Sequence, residues 1–202
     1  MSVKVKICGI RDVASARVAV AAGTDFLGFN FVSTSQRRVE VAVARMILRQ
    51  VGRDVAMVGV FRDAPVSYVN QVARELELNF IQLHGDENPA YVKQMVAPVI
   101  KVVRVGNESA DELAADMRGY DAAHFLLDRP VQGQGDMINL NVVGALADEF
   151  DVFVAGGLNP DNLAGVVRTV RLFGVDVAGG VETEGQSDMD KIRQFVACAK
   201  RA

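Results

Sequence analysis

The stretch that decides the fold is "VKVKICGIRDVASARVAVAAG", residues 3–23. It opens on apolar and β-branched residues, breaks at Cys8-Gly9, and resumes at Asp12 with a run that suits a helix. An aspartate there can cap the helix, its side-chain oxygen accepting a free N–H of the first turn, and Gly23 is the stop. This is one strand-plus-helix unit, and the same beat recurs along the chain. Its strands read "VKVKICGI" (3–10), "DFLGFNF" (25–31), "VAMVGVF" (55–61), "NFIQLHG" (79–85), "VIKVVRV" (99–105), "HFLLD" (124–128), "DVFVAGG" (151–157) and "FGVDVAGG" (173–180). Helical patterns of about ten residues lie between them. One, "NPDNLAGVVRTV" (159–170), places Pro160 in a first helical turn, where its missing N–H costs nothing. Near-continuous apolar strands indicate a parallel sheet covered on both faces. Eight such units close into a (β/α)8 barrel, an α/β fold of the TIM-barrel type. An open doubly wound sheet is the alternative. Eight similar units, with no GxGxxG after the first strand, favour closure.

Composition agrees. The 202 residues are 50% hydrophobic and 23% charged, with no tryptophan, which suits one globular domain with ample core. No linker or low-complexity segment interrupts them, so residues 1–202 read as a single barrel domain. A net charge of -3 argues against nucleic acid or an acidic membrane surface as partner. No apolar run approaches the roughly 18 residues that span a bilayer. The N-terminus has no apolar signal-peptide core, so the expected location is the cytoplasm. There, Cys8 and Cys198 are expected as two free thiols, the latter a packing residue on the last helix. Cysteine and histidine spacings that would hold structural zinc are missing, and no metal is expected.

Barrel chemistry sits at the C-terminal ends of the strands. The polar groups falling there are Cys8, the "STSQRR" loop (33–38), His84, Arg104, Asp128, and the glycine-bearing ends "AGGL" (155–158) and "AGGVE" (178–182). Each has a plain structural reading too. A free cysteine is among the most buried residues, His84 has backbone partners nearby, and Arg37 and Arg38 could be surface charges. Asp128 is harder to dismiss, because a carboxylate behind "FLL" is costly without a purpose. Lys101, inside the fifth strand, would suit a Schiff base if it points into the barrel and a carboxylate partner otherwise. Glycine pairs on the last two strands mark the recurrent phosphate site of barrels, where backbone N–H groups hold the dianion. Gly156, Gly157, Ala178, Gly179 and Gly180 are therefore candidate phosphate contacts, and a small phosphorylated molecule is the expected ligand.

Taken in order, "KICGI" (6–10), "GFNF" with S-x-R-x-V (28–39), "VGVF" (58–61), "QLHG" (82–85), "LLD" (126–128), "AGGL" with Asn162, and "GVE" (180–182) resemble the phosphoribosylanthranilate isomerases of tryptophan biosynthesis. The resemblance covers essentially the whole chain. It implies an Amadori rearrangement of N-(5′-phosphoribosyl)anthranilate to 1-(2-carboxyphenylamino)-1-deoxyribulose 5-phosphate without cofactor. It also implies Asp128 as general acid, Cys8 as general base, and Arg37, through the S-x-R register, as the partner of the anthranilate carboxylate. His84 is a further pocket residue, and a monomer or homodimer is expected. Asp128 must then be held protonated above its usual pKa of about 3.9, and Cys8 needs a positive neighbour to be a thiolate part of the time.

Departures from the family pattern fall on the phosphate side. The glycine-rich loop after the sixth strand reads "QGQGDMINL" (132–140), which keeps Gly133 and Gly135 as phosphate contacts but adds Asp136. The family's "SSGVE" reads "AGGVE", without two hydroxyls. Alternatives are another sugar-phosphate isomerase, a Schiff-base aldolase working through Lys101, or a phosphometabolite-binding barrel without turnover. A histidine-pathway aminoaldose is disfavoured, since barrels for that reaction typically carry an aspartate where Cys8 stands.

Overall fold

A computed structural model of the chain describes residues 3–52, 54–129 and 138–201. Eight parallel strands run through it: β1 (Lys4–Cys8), β2 (Phe26–Asn30), β3 (Ala56–Phe61), β4 (Phe80–Leu83), β5 (Val99–Arg104), β6 (His124–Asp128), β7 (Val152–Val154) and β8 (Gly174–Val177). A helix follows each: α1 (Val13–Ala22), α2 (Val41–Val51), α3 (Val66–Leu76), α4 (Pro89–Val92), α5 (Ala110–Met117), α6 (Leu140–Ala147), α7 (Leu163–Thr169) and α8 (Met189–Arg201). A 3-10 turn (Gly179–Val181) and a small hairpin of β9 (Glu182–Thr183) with β10 (Gln186–Ser187) separate β8 from α8. The strands pair in sequence order, and β8 returns to β1 from Lys4 opposite Gly174 to Ile7 opposite Val177. The barrel is closed, as the eight repeats predict, and the open sheet is excluded. No described helix is long and apolar enough to cross a membrane.

The first unit folds as read. Asp12 accepts the N–H of Ser15 at 2.8 Å, and Gly23 ends α1 at φ 93°, a left-handed conformation that favours glycine. Two helices depart from expectation. Asn159 accepts the N–H groups of Asp161 and Asn162 at 2.9 and 3.0 Å, a local turn that competes with helix. Pro160 therefore sits in that turn, and α7 starts only at Leu163. Between β4 and β5 the helix shrinks to the four residues of α4, capped by Asn88 with Pro89 at its start.

Two cores result. Strand residues facing outward, such as Ile7, Leu27 and Leu127, pack against helix residues such as Ile47 and Phe195. Inward-facing Phe26, Val58, Ile100, Val102, Leu126 and Phe153 fill the barrel. Aromatic rings close its N-terminal end: Phe26 meets Phe153 edge-on at 5.2 Å, and His124 stacks on Phe173 at 4.2 Å. Each buried phenylalanine contributes about 1.5–3 kcal/mol by leaving water. That floor lets the opposite end carry polar groups.

Candidate active site

The C-terminal mouth holds a cavity of about 280 Å³. Cys8, Arg37, His84, Asp128, Gly156, Gly157, Ala178, Gly179 and Gly180 all line it, so the structure brings these expected site residues together. Gly133, Gly135 and Asp136 lie outside the described residues. Cys8 at the tip of β1 and Asp128 at the tip of β6 share this cavity, three strands apart around the ring.

Cys8 owes its setting to its strand. Side chains two apart on a strand share a face, so Lys6 points into the barrel directly below the thiol. Lys6 is wholly buried, and its Nζ donates to Asp176 Oδ1 of β8 at 2.7 Å. Opposite Cys8 in register is Gly28 of β2. A Cβ there would come within 2.8 Å of Cys8 Sγ and 3.1 Å of Lys6 Nζ, so this glycine makes room for both. Burial pushes the Cys8 thiol above its ordinary pKa, and Asp176 adds to that, while the Lys6 charge and the Gly9 N–H pull it back. Burial alone would lower the pKa of Lys6. Asp176 and Cys8 more than reverse this, and its ammonium is held.

Asp128 is buried, and its Oδ1 accepts the backbone N–H of Arg129 at 2.8 Å. Burial raises its pKa above the usual carboxylate range, and Asp176 pushes the same way against that N–H and the Arg129 and Arg104 charges. The direction is the one a general acid requires. His84 Nε2 lies 3.7 Å from Asp128 Oδ2, beyond hydrogen-bond range. Burial, with Arg62, Lys6, Arg104 and Lys101 around it, lowers the pKa of His84 to about 4. Near neutral pH it is an uncharged imidazole, and no ion pair forms with Asp128.

Arg37 reaches the mouth from the loop after β2. Its Nε and Nη2 donate to Glu182 Oε1 and Oε2 at 2.8 and 2.6 Å, a two-pronged pair that raises its pKa further. The pair fixes the plane of the guanidinium, whose Nη1 is not part of it. A second cavity of about 350 Å³ adjoins, sharing Asn30, Arg37, Val60 and His84 and continuing under Thr34–Gln36. Arg38 pairs instead with exposed Glu40 at 2.9 Å, so the S-x-R register selects the inward arginine.

At the other side of the mouth, Gly156 and Gly157 adopt φ 84° and 83°. A Cβ on Gly156 would lie 2.7 Å from Asp128 Oδ1, and one on Gly157 would lie 2.6 Å from Arg129 Nη2. A Cβ on Gly180 would strike the Leu158 carbonyl at 1.8 Å. These glycines let two loops and the acid pack closely, and the Arg129 guanidinium brings a positive charge beside them.

Lys101 is not in the mouth. Its neighbours Ile100 and Val102 face the lumen, so it faces outward, where Nζ meets Gly85 O at 2.6 Å and Glu87 Oε2 at 2.9 Å. A Schiff base at Lys101 is thereby ruled out by direction. Residues the sequence reading passed over are Lys6, Asp176, Glu182, Arg129 and Gln82, whose buried Oε1 has no hydrogen-bond partner among the described residues. Alternation from Cys8 back to Lys6 was the available signal, as was one aspartate inside the apolar "GVDV". The described residues hold no cluster suited to a metal ion.

A closed eight-stranded barrel whose mouth gathers a thiol, a buried carboxyl and a guanidinium defines a barrel enzyme equipped for acid–base chemistry. Comparison with known proteins narrows the class. The profile of the N-(5′-phosphoribosyl)anthranilate (PRA) isomerase family matches residues 5–198. A Desulforudis audaxviator N-(5′-phosphoribosyl)anthranilate isomerase is 41% identical over 98% of both chains. The crystal structure of phosphoribosyl anthranilate isomerase from Thermotoga maritima superposes with a TM-score of 0.91 at 35% identity, covering 99% of this chain and 100% of that one. A phosphoribosyl anthranilate isomerase in complex with reduced 1-(o-carboxyphenylamino)-1-deoxyribulose 5-phosphate has a TM-score of 0.88 at 34% identity, covering 99% and 100%. The chain belongs to the phosphoribosylanthranilate isomerase family.

Proposed function

We propose that Asp128 and Cys8 carry the reaction of this family, as general acid and general base on opposite sides of one sugar. The activity is the isomerisation of N-(5′-phosphoribosyl)anthranilate to 1-(2-carboxyphenylamino)-1-deoxyribulose 5-phosphate in tryptophan biosynthesis. Asp128 gives its proton to the furanose ring oxygen as the C1′–O bond breaks, and the nitrogen lone pair forms C=N. The Cys8 thiolate then takes the C2′ proton, and the released electrons pass through C1′ to nitrogen, giving an enolamine. Tautomerisation to the ketone follows, C1′ gaining a proton and the 2′-hydroxyl losing one. Neutral His84 is available as a hydrogen-bond partner in the same cavity.

The observation carrying this reading is that one cavity gathers Cys8, Asp128, Arg37 and both glycine-bearing ends. The second cavity continues past Arg37 toward Thr34–Gln36, and Arg129 stands beside Gly156 and Gly157. An anthranilate carboxylate at Arg37 and a phosphate at Gly156, Gly157, Ala178, Gly179 and Gly180 would share that cavity, with Arg37 itself beside Gly179. Every group named comes from one chain, so a monomer or a homodimer would work equally.

The test follows the fluorescence loss of freshly generated phosphoribosylanthranilate with the parent protein and with Cys8→Ala. Turnover in the parent that falls by about 10²–10⁴-fold in the variant is expected of a lost general base. Near-parental kcat in Cys8→Ala would remove Cys8 from the role. A parent that binds a product analogue without turnover would make it a binding barrel.

A further inference from the structure

We infer that Lys6 is a positioning residue that sets the charge state of Cys8, and that Asp176 limits how much of its charge the sulfur receives. The catalytic consequence rests on the reading of Cys8 as base; the electrostatic statement does not. Lys6 is among the largest fully buried side chains of the described residues, and it lies in the lumen rather than among the helices. A buried ammonium is costly unless partnered. An ammonium has three N–H donors, and the hydrogen bond to Asp176 at 2.7 Å uses one of them. The sulfur of Cys8 lies close to the same nitrogen, whose charge favours the thiolate. Both atoms crowd the point where Gly28 lacks a Cβ, at 2.8 and 3.1 Å from it. The strand-two glycine, the strand-one lysine and the strand-eight aspartate thus form one device around the thiol.

The charged and titratable groups facing Cys8 come from every side. Lys6 stands on its own strand, Asp176 on β8 and Arg37 on the loop after β2. Asp128 and Arg129 at the end of β6 and neutral His84 after β4 stand across the mouth. Lys6 and Asp176 act on the thiol most strongly, with opposite signs. With Cys8 protonated, Lys6 and Asp176 form a neutral pair. When the thiolate forms, one ammonium serves two anions. Removing Lys6 should therefore disfavour the thiolate, and neutralising Asp176 should favour it.

The experiment titrates the thiol without substrate. Cys198→Ala supplies a background with one cysteine, and Cys8 is followed by iodoacetamide alkylation rate and by ultraviolet thiolate absorbance against pH. Lys6→Met should raise the midpoint by about one unit or more, slowing alkylation near neutral pH roughly tenfold or more. Asp176→Asn should move the midpoint down. Packing damage alone does not shift it in opposite directions, and circular dichroism checks the fold of each variant. An unmoved midpoint in folded Lys6→Met overturns the inference. If Lys6→Met does not fold, Asp176→Asn decides: a lowered midpoint supports the inference, and an unchanged or raised one overturns it. Should the midpoints shift while Cys8→Ala keeps its turnover, the electrostatic inference stands and the assignment of Cys8 as base falls. The reverse combination leaves the function and removes Lys6.

Discussion

The two ends of the barrel interior are built from the same strands yet do opposite work. At the floor, Phe26, Phe80, Phe153 and Phe173 pack ring against ring around His124. At the mouth, buried Lys6, Asp128 and Asp176 gather with the partly buried Cys8 around the cavity. On β6 a step of two residues at a time leads from His124 through Leu126 to Asp128, all on the lumen face. The floor supplies the apolar burial that holds the ring closed, and the mouth uses that rigidity to keep an acid and a thiol facing one another. The division makes stability and turnover separable by mutation.

The sharpest break of that division is at the floor. Phe153 is wholly buried, and Phe153→Ala should cost about 3–5 kcal/mol in a urea titration. The folded fraction should keep parental kcat; a matching loss of kcat would show that floor and mouth are coupled.

Next comes pH. His84 has a folded pKa of about 4 against an unfolded value of about 6.5. Between those values the unfolded chain binds the extra proton, so stability rises with pH across this window and falls as pH drops from 6.5 toward 4. The loss is of order 3 kcal/mol. Asp128, raised in the folded state, works in the opposite sense as pH falls, so the measurement is the difference in urea midpoint between parent and His84→Asn over that range. A variant whose midpoint tracks the parent throughout would mean that His84 is not held neutral.

Smaller still is the comparison of neighbours, Arg37 and Arg38. Arg37→Ala should raise KM for phosphoribosylanthranilate by about 10- to 100-fold, the worth of one charge-assisted pair, with kcat little changed. Arg38→Ala, losing only an exposed contact with Glu40, should change stability by less than about 1 kcal/mol and leave KM alone. Equal effects would contradict the S-x-R assignment.

Most of the fold and part of the site were legible in the sequence. Cys8 and Asp128 stood out because each ends an apolar run, and run ends are where a barrel places its chemistry. Arg37 came from a motif register. The two buried lysines show what was not legible. Lys6 and Lys101 each interrupt an apolar strand, and one faces the lumen with Asp176 while the other faces the helices with Glu87. A strand covered on both faces is apolar on both, so alternation marks inside and outside only from an anchored residue, such as Cys8 on β1, and β5 offered none. Register with the neighbouring strands decides it. The run ends overreached for a related reason: "AGG" at 155–157 continues the composition of β7, but positive φ at Gly156 and Gly157 takes the chain out of the sheet. Pro160 was misplaced because the side chain of Asn159 forms its own turn first.

The central claim, that the mouth works by proton transfer between a buried acid and a facing thiol, is tested most directly by the single-turnover rate of Asp128→Asn. The substitution nearly keeps shape and volume and removes the transferable proton. The account predicts a rate lower by about 10²–10⁴-fold, with a melting temperature close to the parent's and analogue binding retained. A near-parental rate in a folded Asp128→Asn would contradict it.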